Sequence, residues 1–421
     1  MEQKIFRVLF GAALVAAFGI PFFIFTPTAS AAARDGDLEV SGWIPYWASK
    51  DGTRDTREHI EIFDEINPFG FSVRTDGSLH DLMGIKKSNW KRLIKEATKE
   101  DVLVIPTVMW SNGSQIHQIL SDKDTRTKHI KAIVTMVNRG KYDGVDIDYE
   151  GKLSQTNVFF SLFLLELKQA LGNKTLSCTI EARTPPESLY VTLPKVLSYA
   201  NDYKSINLAC DQVKIMTYDQ QRADLDLNGA NVGQPYIPVS DIAWVRKVLN
   251  LTLQTIPKEK IMLGIPTYGR EWVVTVAPNW FKSYQNLQAL NRDKALDAAD
   301  DYRVTPARNQ AGEISFTFIP ENSPYEFLLQ NNSNTNNANS ESNKRKSRHQ
   351  APIYVGNDIA MKALSYANLT GQTLKFNIIW WSDAEAIRQK VDLAQELGLR
   401  GVSIFKIDGE TDPDLWDVLK D

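Results

Sequence analysis

Histidine and cysteine are scarce in this 421-residue chain, and that scarcity narrows its chemistry. The five histidines, His59, His80, His117, His129 and His349, show no paired ligand spacing such as H-E-x-x-H, so no zinc site is expected. Only Cys178 and Cys210 are present, which excludes a disulfide scaffold; two separate buried thiols are the expected state, with one bridge as the alternative. An excess of one charge is also missing. The 48 Lys and Arg against 51 Asp and Glu leave a net charge of -3, which points neither to nucleic acid nor to an acidic membrane surface as partner.

Long hydrophobic runs are confined to one place. Lys4 and Arg7 precede an apolar stretch from Val8 to Phe25, followed by Ala29-Ser30-Ala31-Ala32. That layout reads residues 1–31 as a secretory signal cut after about Ala31, with a retained membrane anchor as the alternative. Either way the remainder, from about Leu38 to Asp421, is expected outside the cytoplasm, secreted or in the cell envelope.

Beyond Leu38, short apolar runs alternate regularly with amphipathic stretches, the pattern of a parallel sheet with helices outside it. Eight strands are expected: Val40 to Tyr46, Pro68 to Val73, Val102 to Met109, Gly144 to Tyr149, Leu176 to Ala182, Val213 to Tyr218, Ile261 to Thr267 and Gly401 to Ile407. Helices are expected between them, among others Trp90 to Lys99, Thr127 to Asn138, Val158 to Leu171, Asp241 to Leu253 and Ala384 to Leu397. Eight strands with interleaved helices predict an α/β fold of the TIM (β/α)8 barrel type. The rhythm breaks once, between the seventh and eighth strands, where an α+β insertion is expected over about Val273 to Phe376. It should hold a helix near Gln285 to Ala299 and a strand near Ile314 to Ile319; Gln330 to Gln350, crowded with Asn and Ser, reads as a disordered loop.

The segment Asp143-Gly144-Val145-Asp146-Ile147-Asp148-Tyr149-Glu150 carries the chemistry. On a strand, Val145, Ile147 and Tyr149 point one way and Asp146, Asp148 and Glu150 the other, each acid about 6 to 7 Å from the next. Packing does not explain three carboxyls on one face, because buried charge is costly and like charges raise one another's pKa. If the apolar set faces the helices, the acids climb inside the barrel toward its C-terminal mouth, where barrel enzymes place their reactions. Such a row offers a protonated and an ionised carboxyl together, as glycoside hydrolysis requires. A divalent metal held by the row, as in a phosphate-ester hydrolase, is the competing reading.

These residues resemble the signature of glycoside hydrolase family 18, which comprises chitinases and N-acetylglucosaminidases. Lys214-Ile215-Met216-Thr217-Tyr218-Asp219 resembles the family's sixth-strand Met-x-Tyr-Asp, and Gly264-Ile265-Pro266-Thr267-Tyr268-Gly269-Arg270 resembles its seventh-strand segment. The likeness spans roughly Leu38 to Trp416.

The resemblance implies cleavage of β-1,4 bonds beside N-acetylglucosamine, with retention and with the substrate's acetamido oxygen as the nucleophile. Glu150 would be the general acid and then base, Asp148 would orient the acetamido N–H, Asp146 would share a proton or hydrogen bond with Asp148, and Tyr218 would donate to the acetamido oxygen. Met216, Asp219 and Arg270 would line the subsite. Phe405 stands where the family usually places a tryptophan floor for the sugar, so subsite preference is affected rather than chemistry.

Trp43, Trp110, Trp380 and Trp381 are candidate sugar platforms, although packing is the leading reading of each taken alone. Ser41-Gly42-Trp43-Ile44-Pro45-Tyr46-Trp47 and Ile105-Pro106-Thr107-Val108 look closer to bacterial cell-wall enzymes than to secreted chitinases, which tilts the expected polysaccharide toward peptidoglycan over chitin. No cofactor is implied, and a monomer is expected. The alternative function is a non-catalytic carbohydrate-binding protein; such members typically lose the last acid of the motif, whereas Glu150 is present.

Overall fold

The computed structural model describes residues 38–329, 353–410 and 412–420. The expected export segment and the whole Asn- and Ser-rich loop, Gln330 to Gln350, lie outside them.

Seven strands run in sequence: β1 (Glu39–Pro45), β2 (Glu65–Val73), β3 (Thr107–Trp110), β4 (Gly144–Tyr149), β5 (Thr175–Glu181), β6 (Gln212–Met216) and β7 (Ile261–Pro266). The chain then builds a second sheet from β8 (Gly269–Ala277), β9 (Trp280–Leu290), β10 (Ile314–Phe318) and β11 (Leu374–Trp381), and returns as β12 (Gly401–Phe405). β12 pairs in parallel with both β1 and β7, and β1 pairs with β2, so the eight strands β1 to β7 and β12 close into a parallel barrel.

Period-two alternation sorts side chains between interior and helices. On β4, Val145, Ile147 and Tyr149 are fully buried against the outer layer. Tyr149 stacks on Phe163 of helix Asn157–Leu171, and its hydroxyl meets His129 of helix Lys123–Gly140. Burial pushes the His129 imidazole down to about 4, so it is a neutral core residue. Burying each such large apolar side chain contributes roughly 1.5–3 kcal/mol, which fixes the register of β4 and the direction of its acids.

The alternate positions make a polar interior. Ser41, Glu65, Asn67, Thr107, Asp146, Ser177, Thr179, Gln212, Lys214 and Ser403 are all buried. Lys214 Nζ donates to Glu65 (2.7 Å) and Asn67 (2.6 Å), and Gln212 Nε2 donates to the other Glu65 oxygen at 2.6 Å. The Lys214 ammonium also lies 4.9 Å from the centre of the Trp43 ring.

The second sheet is antiparallel in the order β9-β8-β11-β10, with the two-residue strand Ala307–Arg308 completing it beyond β10. It begins at Gly269 and extends to Trp381, earlier and later than the sequence pattern suggested. The helix expected near Gln285 to Ala299 begins later: β9 runs to Leu290, and the helix Arg292–Asp301 starts only after Asn291, whose side chain caps it through the Lys294 N–H at 3.1 Å. Pairing of β9 with β8 from Gly269↔Leu290 to Ala277↔Trp280 overrides the local helix propensity. Glu313 locks this subdomain to the loop after β6. It is buried and accepts from Val239 N, Ser240 N, Trp380 Nε1 and Ser382 Oγ at 2.6–3.2 Å.

The cysteines correct the expectation of separate thiols. Cys178 points outward from β5 between inward Ser177 and Thr179. Helix Tyr203–Ala209 folds back so that Cys210 lies 6.0 Å away between Cα atoms, and the two form a disulfide.

Candidate active site

The C-terminal ends of β4, β5, β6 and β12 converge on one mouth. Asp146 lies deepest and is fully buried. Its oxygens accept from Trp43 Nε1 (3.1 Å), Thr107 Oγ1 (2.9 Å), Ser177 Oγ (2.8 Å) and Thr179 Oγ1 (2.9 Å), the full acceptor capacity of a carboxylate. The anticipated bond between Asp146 and Asp148 therefore does not form; neighbouring strands have claimed every lone pair.

Asp148, one step up the same face, is 3% exposed, and its Oδ1 is a buried acceptor without a partner among the described residues. Burial raises its pKa well above the usual carboxylate range, reinforced by Glu150 and Asp146 and opposed by Lys152. Glu150 follows at the strand end, partly buried. Its pKa is raised by burial and by the charge of Glu181, with Lys152 again opposing. Two carboxyls shifted upward in one cavity can hold a proton at a pH where ordinary acids are ionised. The turn after Glu150 is tightly specified: Gly151 has φ +60°, and a Cβ on Gly113 would sit 2.2 Å from the Gly151 carbonyl oxygen.

Tyr218 rises from the end of β6. Its ring stacks on Phe405 at 5.5 Å with an interplanar angle of 16°. Burial holds its phenol protonated well beyond the usual range, with Tyr268, Asp148 and Glu150 adding to the effect. Phe405 is partly buried and makes edge contacts with Trp43, Phe69 and Tyr268, so it forms part of the aromatic floor. Met216 is half-buried, in register with Glu181. Asp219 has φ +55° and is gripped by Arg270 through two hydrogen bonds of 2.6 and 2.7 Å.

The tryptophans fall elsewhere. Trp43 is 1% exposed inside the barrel and serves Asp146 rather than a sugar. Trp110 pairs in register with Tyr149, so it faces the helices and packs edge-on against Tyr149 and His129. Trp380 is buried with its N–H on Glu313, and Trp381 is 3% exposed. The exposed ring at the mouth is instead Trp47, 54% accessible just after β1 and braced edge-on by Tyr46 and Phe69.

Glu181 and Lys152 escaped the sequence reading. Glu181 ends β5 and accepts from Gly151 N (2.9 Å), Lys152 Nζ (3.1 Å) and Asn201 Nδ2 (2.8 Å). Burial would raise its pKa, but Lys152 and these hydrogen bonds outweigh burial and hold it below the usual value. It thus stands as a fixed negative charge beside Glu150. The signal was there in Ser177-x-Thr179-x-Glu181, a polar run of period two.

The chain is similar to known proteins in sequence and fold. The chain is 24% identical over 368 residues to the cortical fragment-lytic enzyme of Bacillus subtilis, covering 87% of this chain and 69% of that one. Its fold matches the spore cortex-lytic enzyme SleL of Bacillus cereus with a TM-score of 0.63 at 21% identity, covering 91% of this chain and 74% of that chain. A chitinase from Chromobacterium violaceum gives 0.64 at 15% identity, covering 91% and 98%. The family model for glycosyl hydrolases family 18 matches residues 44–410. With its acids at the mouth of a closed barrel, the chain belongs to glycosyl hydrolases family 18 and is a glycoside hydrolase.

Proposed function

We propose that the enzyme hydrolyses β-1,4 bonds beside N-acetylglucosamine in peptidoglycan, or in chitin-like glycans, with retention and with the substrate's acetamido group as nucleophile. One observation carries the reading: Asp148 Oδ1 is a buried acceptor without a partner among the described residues, flanked by Glu150 and close enough to Tyr218 to influence its phenol. An acetamido N–H supplies the missing donor, and the protonated Tyr218 hydroxyl suits the acetamido oxygen. Held between them, that oxygen is directed at the anomeric carbon.

Glu150 protonates the leaving oxygen and, once ionised, takes a proton from the water that opens the cyclic intermediate. Asp146, saturated with donors, keeps the floor of the site rigid rather than exchanging protons. Peptidoglycan is favoured over chitin by the cortical fragment-lytic relative. Action outside the cytoplasm is favoured by the apolar run from Val8 and by the disulfide, a bond typical of oxidising compartments.

The test is product analysis by mass spectrometry on peptidoglycan, chitin oligomers and a glucan without acetamido groups. Glu150→Gln should lower turnover by about 10² to 10⁴-fold while oligosaccharide binding persists. Cleavage of the glucan at a comparable rate, or loss of activity in a chelator, counts against the mechanism.

A further inference from the structure

Beside Glu150, on the β5 side, a cleft of about 330 Å³ shares the Glu181 and Lys152 wall with the active site. Three features show that it is built rather than incidental. Arg183, two residues past β5, has its guanidinium 3.8 Å from the Tyr199 ring centre and 4.3 Å from that of Tyr203. Its Nη2 donates to the Asn201 carbonyl at 2.6 Å, so the group is fixed in place with donors left over. Asn201 and Trp244, respectively 8% and 4% exposed, line the same cleft, and each carries a buried polar atom, Oδ1 and Nε1, with no partner among the described residues.

This set is ill-suited to a bare sugar ring. Sugars call for exposed aromatic faces; here Arg183 covers one face of Tyr199, and Tyr203 is buried beneath the guanidinium. A fixed cation, one amide acceptor and one N–H donor instead match a peptide: a carboxylate for Arg183, an N–H for Asn201 and a carbonyl for Trp244. We infer that the cleft beside β5 is an accessory subsite that binds a short peptide carried on the sugar next to the scissile bond. The inference rests on the proposed cleavage beside N-acetylglucosamine and narrows its substrate to peptide-bearing strands. Lys152 is not part of the recognition, because its ammonium is committed to Glu181 and the Tyr149 carbonyl.

Three substrates test it with the intact enzyme: peptidoglycan strands with stem peptides, the same strands stripped by an amidase, and chitin oligomers. The peptide-bearing strands should have kcat/KM higher by at least about tenfold than stripped ones, the scale of one hydrogen bond to a charged group. Arg183→Met should erase that advantage by raising KM on peptide-bearing strands alone, and Trp244→Phe, which keeps an aromatic ring but removes the N–H, should reduce it. Equal kcat/KM on bearing and stripped strands overturns the subsite without any variant, as does an equal loss on all substrates in a variant that melts like the parent. Cleavage of none of the three sinks the underlying reading and the subsite with it.

Discussion

Removing the Cys178–Cys210 bridge should destabilise the barrel without altering its chemistry. The bridge closes a loop of 32 residues that contains the end of β5, the cleft loop and helix Tyr203–Ala209. In the chain-entropy treatment, a closed loop of that length withholds about 12 cal/mol/K from the unfolded chain, or about 3.7 kcal/mol at 25 °C. Unfolding entropy of roughly 2.1 cal/mol/K per residue gives ~0.8 kcal/mol/K for a domain of about 380 residues, so Tm should fall by about 5 °C. Both sulfurs are buried, so a Cys178→Ala, Cys210→Ala pair adds a packing loss, and wild-type protein refolded under reductant is the cleaner comparison. The assay is thermal unfolding followed by circular dichroism, with kcat measured at 25 °C on both forms. A Tm within a degree of the oxidised protein, or two free thiols titrated in the untreated denatured chain, would refute the reasoning.

Two more outcomes concern charges beside and beneath the site. Glu181→Gln removes a negative charge that helps raise the Glu150 pKa and leaves Lys152, which lowers it, uncompensated. A general acid works only while protonated, so the basic limb of the kcat/KM profile should move to lower pH; a limb that stays put or moves up contradicts the assignment. Lys214→Met strands the buried Glu65 carboxylate without its cation and should cost about 3–5 kcal/mol in urea unfolding, much of it recovered by adding Glu65→Leu. A loss under about 1 kcal/mol would mean that the pair is not the buried unit described.

The barrel and its acids were legible because the alternation of β4 admits one register, with Val145, Ile147 and Tyr149 buried and the carboxyls opposite. The same rule, carried one strand sideways, would have turned Trp110 outward, since it pairs with Tyr149; applied to β1, it would have put Trp43 inside. What failed was reading tryptophan by its chemistry rather than its parity. The disulfide was illegible because β5 gives the direction of Cys178 but nothing local gives the return path of helix Tyr203–Ala209. The misplaced helix near Gln285 shows sheet pairing overriding residues that would form a helix in isolation. Glu181 was missed because, although it continues the polar run of Ser177 and Thr179, it acts through neighbours contributed by two other segments.

The stacking of Lys214 on Trp43 makes the lower barrel an electrical participant in what happens above it. An ammonium over one face of an indole draws electron density from the ring and makes its N–H a stronger donor, and that N–H points at Asp146. The cation, the ring and the saturated carboxylate form a polarised column whose upper end abuts Asp148. Engineering of the barrel floor that disturbs Asp146 would therefore be felt at Asp148, whose pKa that carboxylate helps to raise, even though no atom at the rim had been exchanged.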